Sequence, residues 1–338
     1  MRMFNWFNWE SNLQKRIIIG VAILATVTIM LAFRMLTAFI FDAFVIGLAW
    51  VCIHEVMKTK KVADRGVRDY YVYPYIAIAY LTFLLGIVVD NPFPFWLHFV
   101  LQLVLVLVLM LYVFLMAYTD KDVIKRCKLE KKAVGRESRR IVYEYLKLIL
   151  YPTLLIFTLI PLNHMAFWAT EVTVEGAEGI TTGSVRLLGL FLLLLVMAIS
   201  MFSDIFAYCT GRILKGKKLC PNISPNKTIA GAVGGLFGGI LGSLLVVLIF
   251  SGNAQIQQLL TQTIGYAPAV LGVFAVIGLL GSVMTQLGDL YASWLKRRCE
   301  VKDFGKWLPG HGGFMDRLDG IIFNSAFIFI FSMFWLFV

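Results

Sequence analysis

Long apolar runs alternate with short polar segments along the whole chain, and this pattern restricts the possible folds more than any other feature. The 338 residues are 59% hydrophobic and only 15% charged, whereas a soluble domain carries charge at roughly a quarter of its positions. An apolar run of about 20 residues can cross a bilayer as a helix. The sequence therefore predicts an all-α polytopic integral membrane protein.

About nine transmembrane helices are predicted from these runs. The first run begins at Ile17, is long and has no small-residue cleavage site, so we expect a retained helix and no cleavable signal peptide. The aromatic segment before it is typical of an interfacial amphipathic stretch. The predicted spans are 17–33, 36–54, 71–89, 95–117, 146–168, 187–208, 229–251, 267–287 and 320–338.

Basic residues predict the orientation of these helices. If the N-terminus is cytoplasmic, the inside segments hold all of the 31 Lys and Arg residues except Arg34 and Arg186. Cytoplasmic loops of membrane proteins carry such an excess of Lys and Arg, so the C-terminus is predicted to lie outside. The net charge of +11 then reflects topology rather than nucleic-acid binding, and it also allows attraction to anionic lipid headgroups.

Polar residues divide the chain into an N-terminal membrane region, 1–185, with about five spans, and a C-terminal region, 186–338, with about four. In the first region, the mixed charges of loop 118–147 are typical of a solvated amphipathic helix on the membrane surface. In the second, cytoplasmic loops 209–228 and 288–319 concentrate the polar residues. No internal repeat supports an inverted-repeat transporter. We therefore expect the catalytic site in the C-terminal region.

Glycine recurs at intervals of four residues in two rows of the 229–251 span. Such spacing flattens one face of a helix and permits close helix packing in lipid. A nucleotide-binding glycine loop would need a preceding strand, and none is predicted here, so packing is favoured. The rows are Gly231, Gly235 and Gly239, and Gly234, Gly238 and Gly242.

Four carboxylates lie at the predicted cytoplasmic ends of three spans. Asp204 and Asp289 either pair with a nearby Lys or serve a function, because a charge at membrane depth costs about 2.5–3.5 kcal/mol. Asp316 and Asp319 are spaced i, i+3, so a helix presents both on one face. Like charges this close repel unless a cation lies among them. Oxygen ligands without a His or Cys cluster favour Mg²⁺, which keeps positions for water and substrate phosphates.

Cations follow the same acids along the chain. On a helix, Ser293, Lys296 and Arg297 share one face, and Lys302 and Asp303 come next. Lys and Arg donors that face a polyphosphate stabilise the charge that develops on the transferred group and on leaving pyrophosphate. Asp303 either belongs to the site or pairs with Lys296 or Lys302 and orients it. A carboxylate-bound metal with many cations nearby indicates phosphoryl or nucleotidyl transfer.

A glycine-rich turn, Pro-Gly-His-Gly-Gly at 309–313, precedes the last span. Glycine makes the conformations of such a turn accessible and lets the backbone approach a ligand closely. A lone His is more often structural. His311 is favoured as a site residue because it lies among glycines and close to Asp316.

Loop 209–228 supplies a second basic group, and two of its patterns are misleading. Residues 211–218 mimic a phosphate-binding loop, but Lys218 stands where Ser or Thr is required, and the segment follows a membrane helix rather than a strand. Asn222 and Asn226 match glycosylation sequons, yet their predicted cytosolic position argues against modification.

Two further sets of polar residues are assigned structural roles. The five cysteines contain no Cys-x-x-Cys pair, so reduced, unpaired thiols are expected. Asp42 and His164 lie within predicted spans, and polar pairing between helices is the preferred interpretation for both.

Taken together, the C-terminal loops carry a recognisable set of residues. One segment contains Ser293, Lys296, Arg297, Lys302, Asp303, Leu308, Pro309, His311, Gly312, Gly313, Asp316, Arg317 and Asp319. The preceding segment contains Asp204, Tyr208, Gly211, Arg212, Ser224, Pro225, Lys227 and Thr228. This set resembles the signature of the phosphatidate cytidylyltransferases, the CDP-diacylglycerol synthases. It departs from that family at Ile205-Phe206, where a small hydroxyl residue and Gly or Ala are commoner, and at Ile229-Ala230, which replaces Trp-Glu.

The resemblance covers roughly the C-terminal 40% of the chain and implies transfer of CMP from CTP to phosphatidic acid, giving CDP-diacylglycerol and pyrophosphate in phospholipid biosynthesis. It implies a homodimer that requires Mg²⁺, with K⁺ as a candidate second cation. We expect a bacterial plasma membrane, or alternatively the endoplasmic reticulum, and an active site that faces the cytoplasm.

The implied metal ligands are Asp204, Asp289, Asp316 and Asp319. The implied catalytic residues are Asp289, Lys296, Arg297, Asp303, His311, Asp316 and Asp319. The implied substrate-binding residues are Arg212, Ser224, Lys227, Thr228, Ser293, Lys302, Gly312, Gly313 and Arg317.

Three other classes of protein remain open. A CDP-alcohol phosphotransferase would carry Ala-Arg shortly after an Asp-Gly pair, and the segment after Asp319-Gly320 lacks it. A polyprenol-phosphate sugar-phosphate transferase is also polytopic and dependent on Mg²⁺. A transporter or lipid-binding scaffold would explain the spans and the acids, but not the glycine-rich loop of acids and bases outside the membrane.

Overall fold

The computed structural model describes residues 5–34, 37–59, 72–88, 95–127, 130–165, 182–308 and 312–337, and most of these residues are helical. The helices are α1 (Asn5–Arg34), α2 (Ala38–Met57), α3 (Val72–Val88), α4 (Phe95–Thr119), α5 (Lys121–Arg126), α6 (Lys131–Leu148), α7 (Leu155–Phe157), α8 (Thr182–Leu214), α9 (Ile229–Phe250), α10 (Ala254–Ile264), α11 (Ala267–Arg298) and α12 (Met315–Phe337). Residues Ile149–Leu154 join α6 to α7, and the chain is kinked there because Tyr151 has a non-helical backbone (φ −142°, ψ 120°). The predicted all-α class is confirmed. None of the five cysteines, which all lie in the described ranges, forms a disulfide.

Seven helical segments within the described ranges are long and apolar enough to cross a membrane. They are Ala38–Met57, Val100–Thr119, Lys131–Met165, Leu187–Leu214, Ile229–Phe250, Ala267–Arg298 and Met315–Trp335. These segments coincide with the second, the fourth and the last five predicted spans. Two shorter apolar helices, Ile18–Arg34 and Tyr73–Leu84, coincide with the first and third. The polytopic membrane fold is confirmed, whereas the count of nine and the orientation of the termini stay predictions.

The helices pack as two compact units. The first contains residues 1–48 and 155–338, and the second contains residues 49–154. The division proposed at residue 185 rests on loop chemistry rather than on packing, and it stays a prediction.

In the second unit, α6 has the amphipathic character predicted for loop 118–147. Val134, Ile141 and Leu148 are buried, whereas Arg139 is exposed. These apolar residues recur at seven-residue intervals and therefore lie along one face of the helix. The helical state of this segment agrees with the prediction. Its position on the membrane surface stays a prediction.

In the first unit, glycines bring α9 into close contact with both α8 and α11. A Cβ atom at Gly242 would lie 2.6 Å from the carbonyl oxygen of Ala198 on α8, and one at Gly238 would overlap the same helix. A Cβ atom at Gly239 would lie 2.5 Å from the carbonyl oxygen of Gly278 on α11. Because no larger residue fits at these positions, the two glycine rows act as packing surfaces, as the sequence predicts.

An antiparallel hairpin follows α8, where only a loop is predicted from the sequence. Strand β1 (Lys218–Cys220) pairs with strand β2 (Ser224–Thr228). The N–H of Ile229 donates to the carbonyl oxygen of Lys217 at 3.0 Å and closes the base of the hairpin. Pro221-Asn222 is a turn dipeptide between the strands, and it is the signal from which the hairpin could be predicted.

Helix α10 is also absent from the sequence prediction. Asn253 caps its N-terminus, because its Oδ1 accepts a hydrogen bond from the N–H of Ile256 at 3.1 Å. Ile256 and Leu260 are buried against the rest of the unit, which is the i, i+4 spacing of one helix face. The helix is too short to cross a bilayer.

A buried polar network joins α1 and α2 to the helical residues 159–165. His164 Nε2 lies 2.7 Å from the Asp42 carboxylate, and both side chains are fully buried. Asn163 Nδ2 donates to Asp42 Oδ1 at 2.9 Å. Arg34 donates through Nη2 to the carbonyl oxygen of Asn163 at 3.1 Å. The prediction that Asp42 and His164 each pair with a polar group on another helix is confirmed, and the two residues pair with each other.

Candidate active site

Three acids on three different helices form the centre of the candidate active site. Asp204 lies on α8, Asp289 on α11 and Asp319 on α12. The carboxylate of Asp319 interacts electrostatically with those of Asp289 and Asp204, and Asp204 also interacts with Asp289. The structure therefore brings together three of the four acids that the sequence groups as metal ligands.

Two glycines explain why α11 and α12 approach closely at these acids. A Cβ atom at Gly288 would overlap the carbonyl oxygen of Asp319. A Cβ atom at Gly320 would lie 2.7 Å from Cγ2 of Thr285. Since each glycine is the sequence neighbour of one acid, the close contact of the two backbones also draws the two carboxylates together.

Three cations, Lys227, Lys296 and Arg317, lie among the acids. Lys227 on β2 reaches α11, and its Nζ is 2.5 Å from Oδ2 of Asp289. Arg317 and Lys227 both interact electrostatically with Asp204. This cluster matches the expectation that an acid near the end of a span pairs with a lysine, and it also creates a region in which phosphate and a metal ion can both find counter-charges.

Asp316 is held differently from the other three acids. Its Oδ1 accepts a hydrogen bond from Lys296 Nζ at 2.7 Å. Its Oδ2 accepts from the backbone N–H groups of Phe304 at 3.0 Å and Gly313 at 2.9 Å. Lys296 also interacts electrostatically with Asp319. Asp316 therefore fixes the loop before α12 through one oxygen and orients Lys296 toward the acid cluster through the other.

Gly312 closes this loop over Asp316. The N–H of Leu308 donates to the carbonyl oxygen of Gly312 at 3.0 Å. Gly312 has a φ of +83°, and a Cβ atom there would lie 3.0 Å from Asp316 Oδ2 and 3.4 Å from the Asp303 side chain. A left-handed conformation and a crowded position both require glycine. His311, predicted as a site residue, lies outside the described residues.

The hairpin of β1 and β2 is attached to α11 at two points. One is the contact between Lys227 and Asp289. The other is Arg297, whose Nε donates to the carbonyl oxygen of Ile223 in the turn at 3.3 Å. Thr228 Oγ1 accepts from the N–H of Gly231 at 3.0 Å and caps α9. The hairpin thus carries one predicted site residue, Lys227, into the acid cluster.

The remaining predicted site residues lie around this centre. Ser293 Oγ is 3.5 Å from Asp289 Oδ1. Arg212 is exposed, and its Nη1 donates to the hydroxyl of Tyr208 at 2.8 Å. Ser224 is half-buried and Lys302 is exposed. Their assignments as substrate contacts, like those of Thr228, Gly312 and Gly313, stay predictions.

A buried polar layer next to the acids was missed from the sequence. It consists of Ser200 on α8, Thr285 on α11 and Asn324 on α12. Ser200 and Thr285 each precede a site acid by one helical turn, so this i, i+4 spacing is the signal that could reveal the layer.

The oxygen donors of the acid cluster fit Mg²⁺ in their chemistry. Within the described ranges, no three His, Cys, Asp or Glu side chains lie close enough together to form a complete metal site. Mg²⁺ commonly takes only one or two carboxylates, and water and substrate phosphates supply its other ligands. An incomplete set of protein ligands is therefore compatible with a metal ion that binds together with a nucleotide.

The fold and the site define a multi-pass helical membrane protein with a cluster of acids on three helices and lysines beside them. The family model of the cytidylyltransferases matches residues 14–335. The chain therefore belongs to the cytidylyltransferase family.

Curated relatives share about half of their length with this chain. A phosphatidate cytidylyltransferase of Brucella abortus is 40% identical over 144 residues, which are 43% of this chain and 47% of that protein. One from Bacillus subtilis is 38% identical over 130 residues, 38% of this chain and 42% of that protein. The uncharacterized protein YnbB of Escherichia coli is 32% identical over 176 residues, 52% of this chain and 50% of that protein.

Proposed function

We propose that this chain is a phosphatidate cytidylyltransferase, which transfers CMP from CTP to phosphatidic acid and yields CDP-diacylglycerol and pyrophosphate. The observation that carries the proposal is the cluster of Asp204, Asp289 and Asp319, which lie on three membrane helices, with Lys227 and Lys296. With a divalent cation among the acids, such a site could hold two anionic substrates, one of them a lipid. Membership of the cytidylyltransferase family and the names of two relatives support the same reaction.

The reaction needs charge neutralisation more than it needs a base. An oxygen of the phosphatidate phosphate attacks the α-phosphorus of CTP and forms a new P–O bond. The bond between the α-phosphorus and the oxygen bridging to the β-phosphate breaks, and pyrophosphate leaves with the electron pair. The attacking oxygen is already anionic, so no proton has to be removed from it. Lys227, Lys296 and Arg317 stabilise the negative charge that accumulates on the phosphates.

Mg²⁺ is proposed as the cofactor, with Asp204, Asp289, Asp316 and Asp319 as the residues that would hold it. A bound divalent cation supplies Lewis-acid stabilisation of phosphoryl oxygens. Oδ1 of Asp316 is held by a side chain, whereas its Oδ2 is held by two backbone N–H groups. We therefore assign Oδ1 as the oxygen of Asp316 that can exchange partners. K⁺ as a second cation stays a proposal.

In this scheme, each lysine ammonium group can pair either with an acid of the site or with a substrate phosphate. Lys227 and Lys296 each neutralise one acid in the structure, and each carries a flexible stem that allows its head to turn toward a phosphate. Arg297 holds the hairpin through Nε and keeps its remaining guanidinium donors for a substrate. The predicted substrate contacts of Arg212, Ser293 and Lys302 belong to the same proposal.

The proposal is tested with the purified full chain, CTP labelled at the α-phosphate and phosphatidic acid in mixed micelles. We expect labelled CDP-diacylglycerol and an equal amount of pyrophosphate, both dependent on Mg²⁺. A CDP-alcohol phosphotransferase would instead consume CDP-diacylglycerol and an alcohol, and a sugar-phosphate transferase would require a nucleotide sugar and a polyprenol phosphate. No turnover of CTP in the presence of phosphatidic acid would overturn the proposal.

The proposed setting is a bacterial plasma membrane with the site facing the cytoplasm, where CTP is present. The bacterial relatives support the choice of membrane, and the concentration of Lys and Arg in the predicted inside loops supports the orientation. A homodimer is proposed as the assembly. Cross-linking of the purified chain in nanodiscs tests it, and a species of one chain mass alone would contradict it.

A further inference from the structure

We propose that Asn324 is a positioning residue that sets the spacing of the three site acids for a divalent cation. The inference rests on the proposed cation-binding role of Asp204, Asp289 and Asp319. Asn324 does not itself belong to the acid cluster. It acts through a hydrogen-bonded clamp, defined as Ser200, Thr285 and Asn324, that joins α8, α11 and α12 within the membrane.

The clamp is a continuous chain of hydrogen bonds. Asn324 Nδ2 donates to the carbonyl oxygen of Val196 at 2.9 Å and to Ser200 Oγ at 3.1 Å, both on α8. Ser200 Oγ and Thr285 Oγ1 are 3.2 Å apart. Thr285 in turn donates to the carbonyl oxygen of Gly281 at 3.0 Å. All three clamp side chains are fully or almost fully buried.

The hydrogen bonds of the clamp can run in only one direction. The single hydroxyl proton of Thr285 is used on Gly281 within α11. The hydroxyl of Ser200 must therefore donate to Thr285, and Ser200 Oγ accepts from Asn324. A series of hydrogen bonds in which each group has one assigned role is rigid, because reversing any one of these hydrogen bonds leaves a buried donor without an acceptor.

The position of the clamp couples it to the acids. Ser200 and Thr285 lie four residues before Asp204 and Asp289 on their helices, and Asn324 lies five residues after Asp319. A helix rises about 6 Å in four residues, so each clamp residue lies roughly one turn from the acid on its own helix. Shifting one helix at the clamp shifts its acid by a similar amount.

The free-energy cost of burying the Asn324 amide indicates that this side chain does more than fill space between the helices. Asn324 is fully buried in a membrane helix, and in the part of the chain that the structure describes its Oδ1 has no hydrogen-bond partner. An apolar residue would avoid that cost, since polar groups in the bilayer are expensive and persist mainly where they pair or function. What Asn324 adds is its two donated hydrogen bonds, and both go to the helix that carries Asp204.

The test compares Asn324→Leu with Ser325→Ala in the full chain. Ser325 is the matched control because it is the next residue on α12, is also buried, and bonds to Thr158 and Leu155 rather than to α8 or α11. Binding of Mn²⁺, a paramagnetic substitute for Mg²⁺, is titrated by electron paramagnetic resonance. The Mg²⁺ concentration for half-maximal rate and the KM for CTP at saturating Mg²⁺ are measured in parallel.

We expect Asn324→Leu to weaken Mn²⁺ binding by about 10- to 100-fold, the range seen when residues that orient metal ligands are removed, and to leave the KM for CTP at saturating Mg²⁺ unchanged. Ser325→Ala keeps the wild-type Mn²⁺ affinity. Ser200→Ala also weakens Mn²⁺ binding. The double variant, Ser200→Ala with Asn324→Leu, binds Mn²⁺ no more weakly than Asn324→Leu alone, because both substitutions break the same series of hydrogen bonds.

Wild-type Mn²⁺ affinity in folded Asn324→Leu would overturn the inference, and so would an equal loss in Ser325→Ala. If Asn324→Leu does not fold, Ser200→Ala and Thr285→Val decide the question by the same titration. Mn²⁺ binding requires no turnover. If the protein binds Mn²⁺ and this binding depends on the clamp, but the protein does not consume CTP, the proposed function is refuted and the inference about the clamp still holds.

Discussion

Lys227 and Asp289 form the contact that joins the hairpin to the catalytic helices, with Nζ 2.5 Å from Oδ2. The two residues come from β2 and from α11, on either side of two intervening helices in the sequence. The lysine balances an acid that would otherwise repel its neighbours, and it is within reach of any phosphate bound there. The hairpin is therefore part of the site and not only a connection.

The first prediction concerns this lysine. Lys227→Met removes the ammonium and leaves a side chain of similar length, and we expect a loss of about 10²–10³ in kcat, the cost of one charge-stabilising donor. Lys218→Met is the control, because Lys218 lies on the same hairpin and is exposed. The rate of CDP-diacylglycerol formation measures both. Wild-type kcat in Lys227→Met would contradict the role.

The second prediction separates cation binding from general charge. Asp319→Asn removes one carboxylate from the cluster, so we expect the Mg²⁺ requirement to rise about 10-fold or more. Glu300→Gln removes an exposed acid from the loop after α11, and its Mg²⁺ requirement should match the wild type. The rate is measured as a function of Mg²⁺ at fixed CTP. An unchanged requirement in Asp319→Asn would exclude it as a metal ligand.

Sequence patterns predict the apolar helices, the glycine packing faces and the grouping of Asp204, Asp289 and Asp319. These succeed because a span of about 20 apolar residues and an i, i+4 glycine row depend on neighbouring residues only. A carboxylate at membrane depth is equally visible, since its cost is local.

The hydrogen bonds that hold Asp316 and Arg297 in place could not be predicted from the sequence. Phe304 donates a backbone N–H to Asp316, and no side-chain pattern encodes a backbone donor in a loop. Arg297 has the spacing expected of a phosphate ligand, yet its Nε holds the hairpin turn at Ile223. Both facts depend on how distant segments fold back, which local periodicity does not specify.

The third prediction tests the loop over Asp316 with two glycines that both have positive φ. Gly312→Ala and Gly216→Ala each place a Cβ atom in the left-handed region, which costs about 1–2 kcal/mol. Only Gly312 also has Asp316 within 3.0 Å of that Cβ position, whereas Gly216 has open space. We expect a loss of thermal stability in both variants, larger in Gly312→Ala, and a loss of activity in Gly312→Ala alone. Equal activities would show that the loop does not position Asp316.

The fourth prediction concerns the buried network around Asp42. Asp42→Leu removes the acceptor of Asn163 and the partner of His164, so we expect a destabilisation of about 0.6–1.7 kcal/mol for each hydrogen bond lost in the membrane. Thr26→Ala, whose hydroxyl bonds within its own helix at an exposed position, should leave the melting temperature unchanged. The Mg²⁺ requirement of the surviving activity should match the wild type. A changed requirement would connect this network to the site.

The last prediction uses the glycine face that holds α9 against α8. Gly238→Ala places a methyl group onto the backbone of Phe202, two residues before Asp204, so α8 and α9 must separate. Gly272→Ala on α11 adds the same methyl group where nothing lies within 4 Å, and there alanine gains about 1 kcal/mol of helix propensity. Thermal unfolding in detergent should therefore give a lower melting temperature for Gly238→Ala and a higher one for Gly272→Ala. Because the separation also moves Asp204, only Gly238→Ala should weaken Mn²⁺ binding, and equal Mn²⁺ affinities in the two variants would contradict the coupling of this packing face to the acid cluster.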